Sequence, residues 1–340
     1  MGIEQLTERE RLVFLSIVHS FVQTAEPVGS RYLAKKYNLN ISPATIRNVM
    51  TDLEEKGLIN QPHTSAGRIP TDYGYRQYVD SISDTTKLTS DERHQIFLQL
   101  KQFSEDLSTI SEKASQILGE ISSQLGVVLA PRFNKGRIQK LELVSLSDNK
   151  LLLILGIQAG LVKTIIIEID QKVPPGLLQA TVELLNERLY GLSLEELQTS
   201  MENRFKDVDE RYKSILRAIS YHTDKIVENR REFYLAGTRN VILNPEFETR
   251  EKVDRILELI DRKDILIKVL TEQQSDGISI VIGEENREEL MKNCSLITTT
   301  YSMQGITGTI GVIGPTRMQY DKVIALVHFM SETLSHFINK

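Results

Sequence analysis

The residues with the most specific chemistry lie between Ser42 and Thr51, where Arg47 and Asn48 stand side by side. An arginine can pair with guanine and an asparagine with adenine, each through two hydrogen bonds, and a threonine methyl group can touch thymine. The charge is also local: residues 27–51 hold four bases and no acid, whereas the whole chain has a formal net charge of −5. A DNA contact is therefore expected to be a patch, not a property of the whole surface.

A capped amphipathic helix would hold these side chains on one face. Ser42 can cap the helix, and Pro43 suits its first position because proline has no amide hydrogen to leave unpaired. Apolar residues then recur at helical spacing, at Ile46, Val49, Met50 and Leu53. Two expected helices precede this one, and a strand-and-turn segment follows it at residues 58–70. The pattern predicts a winged helix-turn-helix over residues 1–80, with the helix from Ser42 as the recognition helix.

The predicted DNA contacts divide into base readers and phosphate holders. Two residues would read bases, Arg47 and Asn48, and four would hold phosphates: Arg31, Lys35, Lys36 and Arg68. The full predicted set is Arg31, Lys35, Lys36, Ser42, Ala44, Thr45, Arg47, Asn48, Thr51, His63, Thr64, Ser65 and Arg68.

Two further groups near the expected wing carry open alternatives. His63 is interpreted either as a phosphate or minor-groove contact or as a solvated turn residue. Tyr73, Tyr75 and Tyr78 would either stack on bases or pack a helix onto the wing domain, and packing is favoured.

The rest of the chain alternates between strand-rich and helix-rich segments. A linker is predicted at residues 81–90, followed by a long helix with an apolar seam from Phe103 to Leu125. A helical block over residues 193–267 separates two groups of strands, and a last helix is expected at 320–338. The predicted strands cover residues 141–146, 150–157, 161–169, 278–282, 296–301 and 308–313. This order indicates one antiparallel sheet domain interrupted by an insertion.

Five segments are distinctive as sequence motifs: PVGS at 27–30, SPATIRNVM at 42–50, DLEEKGLI at 52–59, HTSAGRIPTD at 63–72, and GVIGPTRM at 311–318 with Tyr320. These segments resemble those of the HrcA family of heat-inducible repressors of bacterial chaperone operons. The resemblance spans nearly the whole chain, and its most specific part is the wing segment.

This resemblance implies an α+β multidomain fold. It would have a winged helix-turn-helix at 1–80, a GAF-like α/β domain with an antiparallel sheet at 81–192 and 268–340, and an inserted, mainly helical dimerisation domain at 193–267. It also implies a homodimer that represses heat-shock chaperone genes by binding an inverted-repeat operator of the CIRCE type on double-stranded DNA. The GroE chaperonin would keep this repressor active, and heat would remove that support.

Two sets of residues outside the predicted winged helix-turn-helix are singled out for binding. An apolar stripe in the helical block is the expected dimer surface, on the resemblance together with the stripe itself: Tyr212, Ile215, Ile219 and Ile226. Arg317 and Tyr320 are interpreted either as a ligand or interface site or as a packed turn with an internal ion pair.

Other classes of function find little support in the residues. Cys294 is the only cysteine, so neither a disulfide framework nor a cysteine-rich zinc site can form, which fits a cytoplasmic protein. The six histidines share no metal-ligand spacing, and no cofactor is expected. The first residues do not form a signal peptide, and no apolar run approaches the ~20 residues that span a membrane. No nucleophile–base pair is recognisable, so the chain is not expected to be an enzyme.

Three rivals to the repressor interpretation remain at this stage. A small-molecule-sensing regulator would use the GAF-like domain as a pocket, and a metabolite would then shift operator affinity. A chaperone-interaction module would show no salt-dependent DNA binding. An enzyme would need a pocket with convergent titratable groups.

Overall fold

The computed structural model describes residues 3–64, 66–82, 88–104, 106–131, 136–157, 161–170, 172–222, 232–247, 249–274, 277–303 and 306–338. The chain separates into two compact units. The first consists of Met1–Leu129, Phe233–Tyr301 and Thr309–Ile338, and the second mainly of Ala130–Glu232.

The first unit begins with a small domain, called the head here, over residues 3–82. It contains a 3-10 turn and four helices, with a short hairpin before the last helix. The helices are α1 (Glu8–Thr24), α2 (Ser30–Tyr37), α3 (Pro43–Glu55) and α4 (Asp72–Asp80), and the hairpin strands are β1 (Ile59–Asn60) and β2 (Ile69–Pro70). Side-chain caps start α1, α3 and α4 from Thr7, Ser42 and Thr71. These three helices therefore begin where the sequence supplies a side-chain acceptor for free amides.

The remainder of the first unit, called the body, is built on a five-stranded sheet. Its strand order is β7-β3-β10-β9-β8, formed by β3 (Leu125–Leu129), β7 (Phe233–Ala236), β8 (Ser279–Ile282), β9 (Cys294–Met303) and β10 (Ile306–Pro315). The pairings of β3 with β10 and β7, and of β8 with β9, are antiparallel. The helices of the body are α5 (Ser90–Lys101), α6 (Leu107–Ser122), α10 (Thr238–Ile242), α11 (Arg250–Asp261), α12 (Lys263–Glu272) and α13 (Tyr320–Ile338).

Alternate side chains of the body sheet feed two cores. Val128, Ile310 and Val312 join the core that α13 and the helices of the head also fill. Val127 and Ile313 lie in a second core with α11 and α12. The sheet is thus covered on both faces, as the period-two alternation of apolar side chains along β3 requires.

The second unit has its own sheet and its own core. Its three strands, in the order β4-β5-β6, form an antiparallel meander: β4 (Ile138–Ser147), β5 (Lys150–Ile157) and β6 (Leu161–Glu168). One face of this sheet packs against the helices α7 (Pro175–Leu189), α8 (Leu194–Arg204) and α9 (Glu210–Tyr221).

The predicted domain boundaries need correction. The insertion was expected at 193–267 and mainly helical, but the second unit spans Ala130–Glu232 and contains the meander. Residues 233–267 belong to the body instead, because β7 pairs with β3 and α11 packs in the body core. The meander itself is confirmed, as are strands β8 to β10 and the last helix.

The long helix predicted after residue 90 is wrong as a single element. The chain forms α5 and α6, and α6 restarts at Leu107 with Asp106 as its cap, whose carboxylate accepts a hydrogen bond from the Thr109 amide at 2.8 Å. Leu125, the end of the predicted seam, lies in strand β3. None of the helices in the described ranges combines the length and apolar composition that a membrane crossing requires.

Candidate nucleic-acid interface

Helix α3 is anchored by a buried stripe and a tight N-terminal cap. The Ser42 hydroxyl accepts a hydrogen bond from the Thr45 amide at 3.1 Å and lies 2.9 Å from the Thr45 hydroxyl. The inner stripe of the helix is buried in the core of the head: Ile46, Val49, Met50 and Leu53. This inner stripe fixes which side of α3 faces outward.

The outer side of α3 carries the predicted base-reading residues. Arg47 and Asn48 are exposed, as are Ala44 and Thr51, and Thr45 is half-buried. Among the described residues neither Arg47 nor Asn48 has a side-chain partner, whereas the Thr51 hydroxyl donates to the Arg47 carbonyl at 3.2 Å. The geometry leaves a guanidinium and a carboxamide side by side in solvent, ready to pair with groups outside the chain.

Helix α2 carries three cationic side chains, which differ in how far contacts within the head constrain them. Arg31 and Lys35 are exposed. The Lys36 ammonium donates to the Gln23 carboxamide at 3.0 Å and lies 5.4 Å from the ring centres of Tyr32 and Tyr37. Its hydrogen bond with Tyr32 raises the pKa of Lys36 above its ordinary value. The Lys36 side chain is therefore exposed but oriented by contacts within the head. The side chains of Arg31 and Lys35 are exposed and less constrained.

The β1–β2 hairpin projects a short turn after α3. Gln61 ties this turn together, because its carboxamide donates to the carbonyls of Thr64 at 3.0 Å and Ala66 at 2.9 Å. His63 and Thr64 are exposed at the tip, and Ser65 lies outside the described residues. The bracing role of Gln61 was not predicted, since a glutamine in a polar turn gives no distinctive sequence signal.

Arg68 does not fit its predicted role as a free phosphate contact. Its guanidinium forms an ion pair with Glu54 at 2.8 Å, and its side chain is only 18% exposed. The Arg68 backbone also pairs in both directions with Val28 at 2.9 Å. A side chain held in this way braces the base of the hairpin against the end of α3, so its charge is already neutralised within the head.

Two of the three tyrosines after the hairpin are buried, which favours the packing interpretation. Tyr75 and Tyr78 lie in the core of the first unit, whereas Tyr73 is 39% exposed. The Tyr75 ring lies 5.7 Å from the ring of Tyr320. Burial raises the pKa of Tyr78 to about 12. Stacking on bases therefore does not fit Tyr75 or Tyr78.

The head is joined to the body by an arginine on α4. Arg76 binds Glu285 with its Nε at 2.8 Å and donates to the Ile280 carbonyl at 2.6 Å. Burial raises the pKa of Glu285, but hydrogen bonds from Arg76 and the Ile282 amide outweigh it, so the net pKa is lowered.

A second arginine, on the turn before α13, also joins the body to the head. Arg317 pairs with Glu246 at 2.6 Å and donates to the Val22 carbonyl near the end of α1 at 2.8 Å. Tyr320 is buried, with its hydroxyl 2.7 Å from the Ser295 hydroxyl and donating to the Thr316 carbonyl at 2.7 Å. The packed-turn interpretation with an internal ion pair thus describes these two residues.

The apolar stripe on α9 that was predicted as a dimer surface packs mainly into the core of its own unit. Ile215 and Ile219 are fully buried in the core of the second unit, and Tyr212 is half-buried against it. Ile226 lies outside the described residues. The prediction of a dimer surface does not fit Ile215 and Ile219, because α9 turns its apolar side toward the sheet of its own unit.

The described ranges contain neither a metal-binding cluster nor an exposed thiol. No group of three or more His, Cys, Asp or Glu residues there could hold a metal ion. Cys294 is buried, and burial raises the pKa of its thiol to about 12.

Similar proteins place this arrangement in a known class. Residues 108–324 match the family described as HrcA protein C terminal domain. The heat-inducible transcription repressor HrcA of Chlorobium phaeobacteroides (strain BS1) is 38% identical, with 100% of both chains covered. The protein of the same name from Prosthecochloris aestuarii (strain DSM 271 / SK 413) is 40% identical, with 97% of both covered.

A solved structure shares the fold. It is titled "Crystal structure of a hypothetical protein at 2.2 A resolution", has a TM-score of 0.66 and 24% identity, and the match covers 98% of this chain and 99% of that one. The α+β fold with antiparallel sheets therefore also occurs in a solved structure, and the full-length relatives named above are transcription repressors. The chain belongs to the HrcA family.

Proposed function

We propose that this protein is a dimeric repressor of heat-shock chaperone genes that binds an inverted-repeat DNA operator with its head. One observation carries the proposal: the exposed outer side of α3, with Arg47 and Asn48 next to each other and without partners among the described residues. The head would act as a winged helix-turn-helix, with α3 in the major groove and the hairpin turn at His63 beside it.

The phosphate contacts are proposed for α2 and the hairpin turn. Arg31 and Lys35 are exposed cations on α2, and Lys36 is oriented by Gln23 and two tyrosines. Arg68 is reassigned from phosphate contact to brace, because Glu54 already neutralises it. With so few free cations the head alone would bind weakly, so two heads on two half-sites are needed for useful affinity.

The dimer surface is proposed on the outer face of the β4–β5–β6 sheet. Apolar side chains form a row across the three strands, because Val144 on β4 pairs with Leu152 on β5, and Leu152 pairs with Ile166 on β6. Val162 is 65% exposed, Ile166 54% and Val144 42%, on the face opposite to the helices. An apolar face of this kind fits a second copy of the same unit, paired about a two-fold axis.

The remaining parts of the proposal rest on family resemblance. The operator would be of the CIRCE type, the protein would act in the cytoplasm, and the GroE chaperonin would maintain its activity.

Operator binding tests the proposal directly. Fluorescence anisotropy with a labelled CIRCE-type duplex should give tight, salt-sensitive binding, and a duplex with one scrambled half-site should bind at least tenfold more weakly. Adding chaperonin at two temperatures should raise the fraction of active repressor, most strongly at the higher one. Equal affinity for the intact and the fully scrambled duplex would refute the proposed function.

A further inference from the structure

Strand β7 forms one edge of the body sheet, and within the described part of the chain it pairs only with β3. The Ala130 amide donates to the Glu232 carbonyl at 2.9 Å, and this bond fixes the phase of the antiparallel ladder. Because bonded residues alternate along such a ladder, Tyr234 directs its main-chain groups toward β3. The N–H and C=O groups of Phe233 and Leu235 therefore point the other way, out of the sheet edge.

A cleft of about 320 Å³ lies along this edge and borders all four residues of β7. Its walls come from the two sides of the sheet: Glu112, Ser115 and Gln116 of α6, and Ile260 of α11 with Lys263 of α12. We call this cleft the edge slot. Since helices flank it on both sides, it suits a single extended chain better than the edge of a second folded sheet.

The opposite edge of the body sheet is protected in a way that β7 is not. At β8, Arg76 donates to the Ile280 carbonyl at 2.6 Å, so the head covers that strand. Natural sheets usually blunt their edges with proline, lysine, a bulge or a covering element. The FYLA sequence of β7 has no such residue, and its pairing with β3 contains no bulge. No described residue bonds to the outward main-chain groups of Phe233 and Leu235, so β7 is an open template for another strand.

The walls of the edge slot set the side-chain pattern of an added strand. Phe233 and Leu235 pack on the side of α11 and α12, and Tyr234 packs on the side of α6. Neighbours across a strand pair share a face, so alternate side chains of the added strand would meet Ile260 and Glu112. Glu112 is exposed, and the described residues include no ion pair for it. The slot therefore favours apolar residues in alternation with cationic ones.

We propose that the edge slot binds an extended peptide segment of a second protein as an added antiparallel strand on β7, with apolar residues toward Ile260 and cationic residues toward Glu112. Lys263 lies on the Ile260 side and repels a cation placed there, so the alternation fixes which face of the peptide turns to α6. Main-chain bonds to β7 supply affinity, and the alternate side chains supply specificity. This binding goes beyond the proposed repression of transcription and can be measured without DNA.

Fluorescence anisotropy of the full chain with a labelled six-residue peptide of alternating valine and lysine tests the proposal. The peptide should bind saturably at one site per chain. In an antiparallel pair its valine amides face β7 and its lysine amides face outward. N-methylation of the valine amides should weaken binding at least about tenfold, because main-chain hydrogen bonds are lost, and N-methylation of the lysine amides should change it less than about threefold. No saturable binding, or a loss that is not confined to the valine amides, would overturn the proposal.

Two variants at Leu235 separate the outward main-chain groups from side-chain packing. Leu235→Pro and Leu235→Ala both remove the leucine side chain, but only proline removes the N–H that points into the edge slot. An edge strand tolerates proline at such a position, because no bond to β3 is lost. Leu235→Ala should bind the peptide within about threefold of the parent, and Leu235→Pro at least about tenfold more weakly. Equal affinity of two folded variants contradicts strand addition, and the methylated peptides decide the question if the proline variant does not fold.

The cationic side of the pattern has its own pair of variants on α6. Glu112→Gln removes the carboxylate of the edge slot and should weaken binding of the valine–lysine peptide about two- to fivefold, the value of an exposed ion pair. Glu120→Gln is the matched control, because Glu120 is exposed on the same helix but does not line the slot. It should bind as the parent does. Equal losses in the two variants would mean that the cations of the peptide do not face Glu112, which would overturn the proposed alternation.

Discussion

Arg47 and Arg68 show how position decides what an arginine of the head can do. Arg47 is exposed on the outer side of α3, and the described residues offer it no partner. Arg68 is held by Glu54 and by backbone pairing with Val28. A guanidinium that already has a carboxylate partner adds little to phosphate binding, so under the proposed function Arg47 would contact DNA directly and Arg68 would act only by bracing the hairpin.

Replacing Arg47 with alanine should weaken operator binding by ~1–3 kcal/mol per half-site and relax the base preference at one position. The loss arises because a paired base edge would lose both of its hydrogen bonds. Anisotropy with operators that vary one base at a time measures both effects.

Lys35→Ala is the matched comparison, since it removes one exposed charge from α2. It should weaken operator and scrambled DNA alike and reduce the salt slope by about 1 per half-site. If Arg47→Ala leaves both DNAs bound as before, Arg47 does not read a base.

Gly67 sits where the hairpin crosses the segment before α2. A Cβ at this position would lie 2.4 Å from the carbonyl carbon of Val28, which is backbone and cannot move aside cheaply. Gly67→Ala should therefore cost about 1–3 kcal/mol of folding free energy, read from urea unfolding. Gly176→Ala is the control, because nothing lies within 4 Å of its Cβ and alanine favours helix α7. Equal stability of the two variants would mean that the backbone crossing is looser than described.

At the scale of elements, α1 and α3 are joined at one end by an ion pair. Lys56, the residue that caps α3, binds Glu10 at 2.7 Å, and Glu10 also closes the cap of α1 with Thr7. The hydrogen bond from Lys56, followed by that from the Thr7 amide, lowers the pKa of Glu10. The pair therefore stabilises the contact between α1 and α3 only while Glu10 is ionised.

This lowered pKa makes the stability of the parent depend on pH. The unfolded chain binds the proton more tightly than the folded one, so the contribution is complete above the ordinary glutamate pKa and is lost as pH falls through the lowered value. Glu10→Gln keeps a cap acceptor but loses the charge, and should be about 1 kcal/mol less stable than the parent at pH 7. Urea unfolding from pH 7 to pH 3 should show this difference closing.

Glu8→Gln is the matched control in the same helical turn, because Glu8 is exposed and the described residues include no ion pair for it. Its stability difference should stay small at every pH. A gap between parent and Glu10→Gln that persists at pH 3 would show that charge is not the cause.

The elements that the sequence predicts well are those whose causes are local. Ser42, Pro43 and the stripe from Ile46 to Leu53 define α3 without reference to the rest of the fold. Strands β3 and β7 were missed because what makes them strands is pairing with distant segments, Val127 with Leu235 for example. The insertion boundary failed for the same reason, since the meander could equally have joined the body sheet.

The site follows the same division. Exposure of Arg47 and Asn48 could be predicted, because helical spacing places them opposite the buried stripe. The state of Arg68 could not, because it depends on Glu54 approaching from another element. The joint at Arg317 is likewise a tertiary contact between separate segments. The bracing by Gln61 is local to the hairpin turn, but a glutamine in a polar turn gives no distinctive signal for it.

For the whole molecule, the first unit ties the head firmly to the body. Arg76 and Arg317 each combine an ion pair with a bond to a main-chain carbonyl of the other part. The core is also continuous from Phe14 in α1 to Leu326 in α13. A head held in this way cannot change its orientation independently of the body. If the protein acts as the proposed dimer, the placement of its two heads on an inverted repeat therefore depends on how two copies of the chain pair.

Placing a charge on the exposed sheet of the second unit should separate those copies. Ile166→Glu adds a carboxylate to a face where Val144, Leu152 and Val162 are also apolar, and burying it unpaired costs several kcal/mol. The dimer should dissociate at least about 100-fold more readily in analytical ultracentrifugation. Full-operator affinity should fall while half-site affinity stays unchanged, because each head is intact.

Asn203→Glu supplies the control for added charge, since it places a carboxylate at an exposed position of α8 in the same unit and not on the sheet. It should leave both the dimer and operator binding as in the parent, because α8 takes no part in the proposed contact. A monomeric parent, or an Ile166→Glu variant that sediments as the parent does, would exclude the sheet as the dimer surface. The two heads would then have to be brought together through another part of the chain.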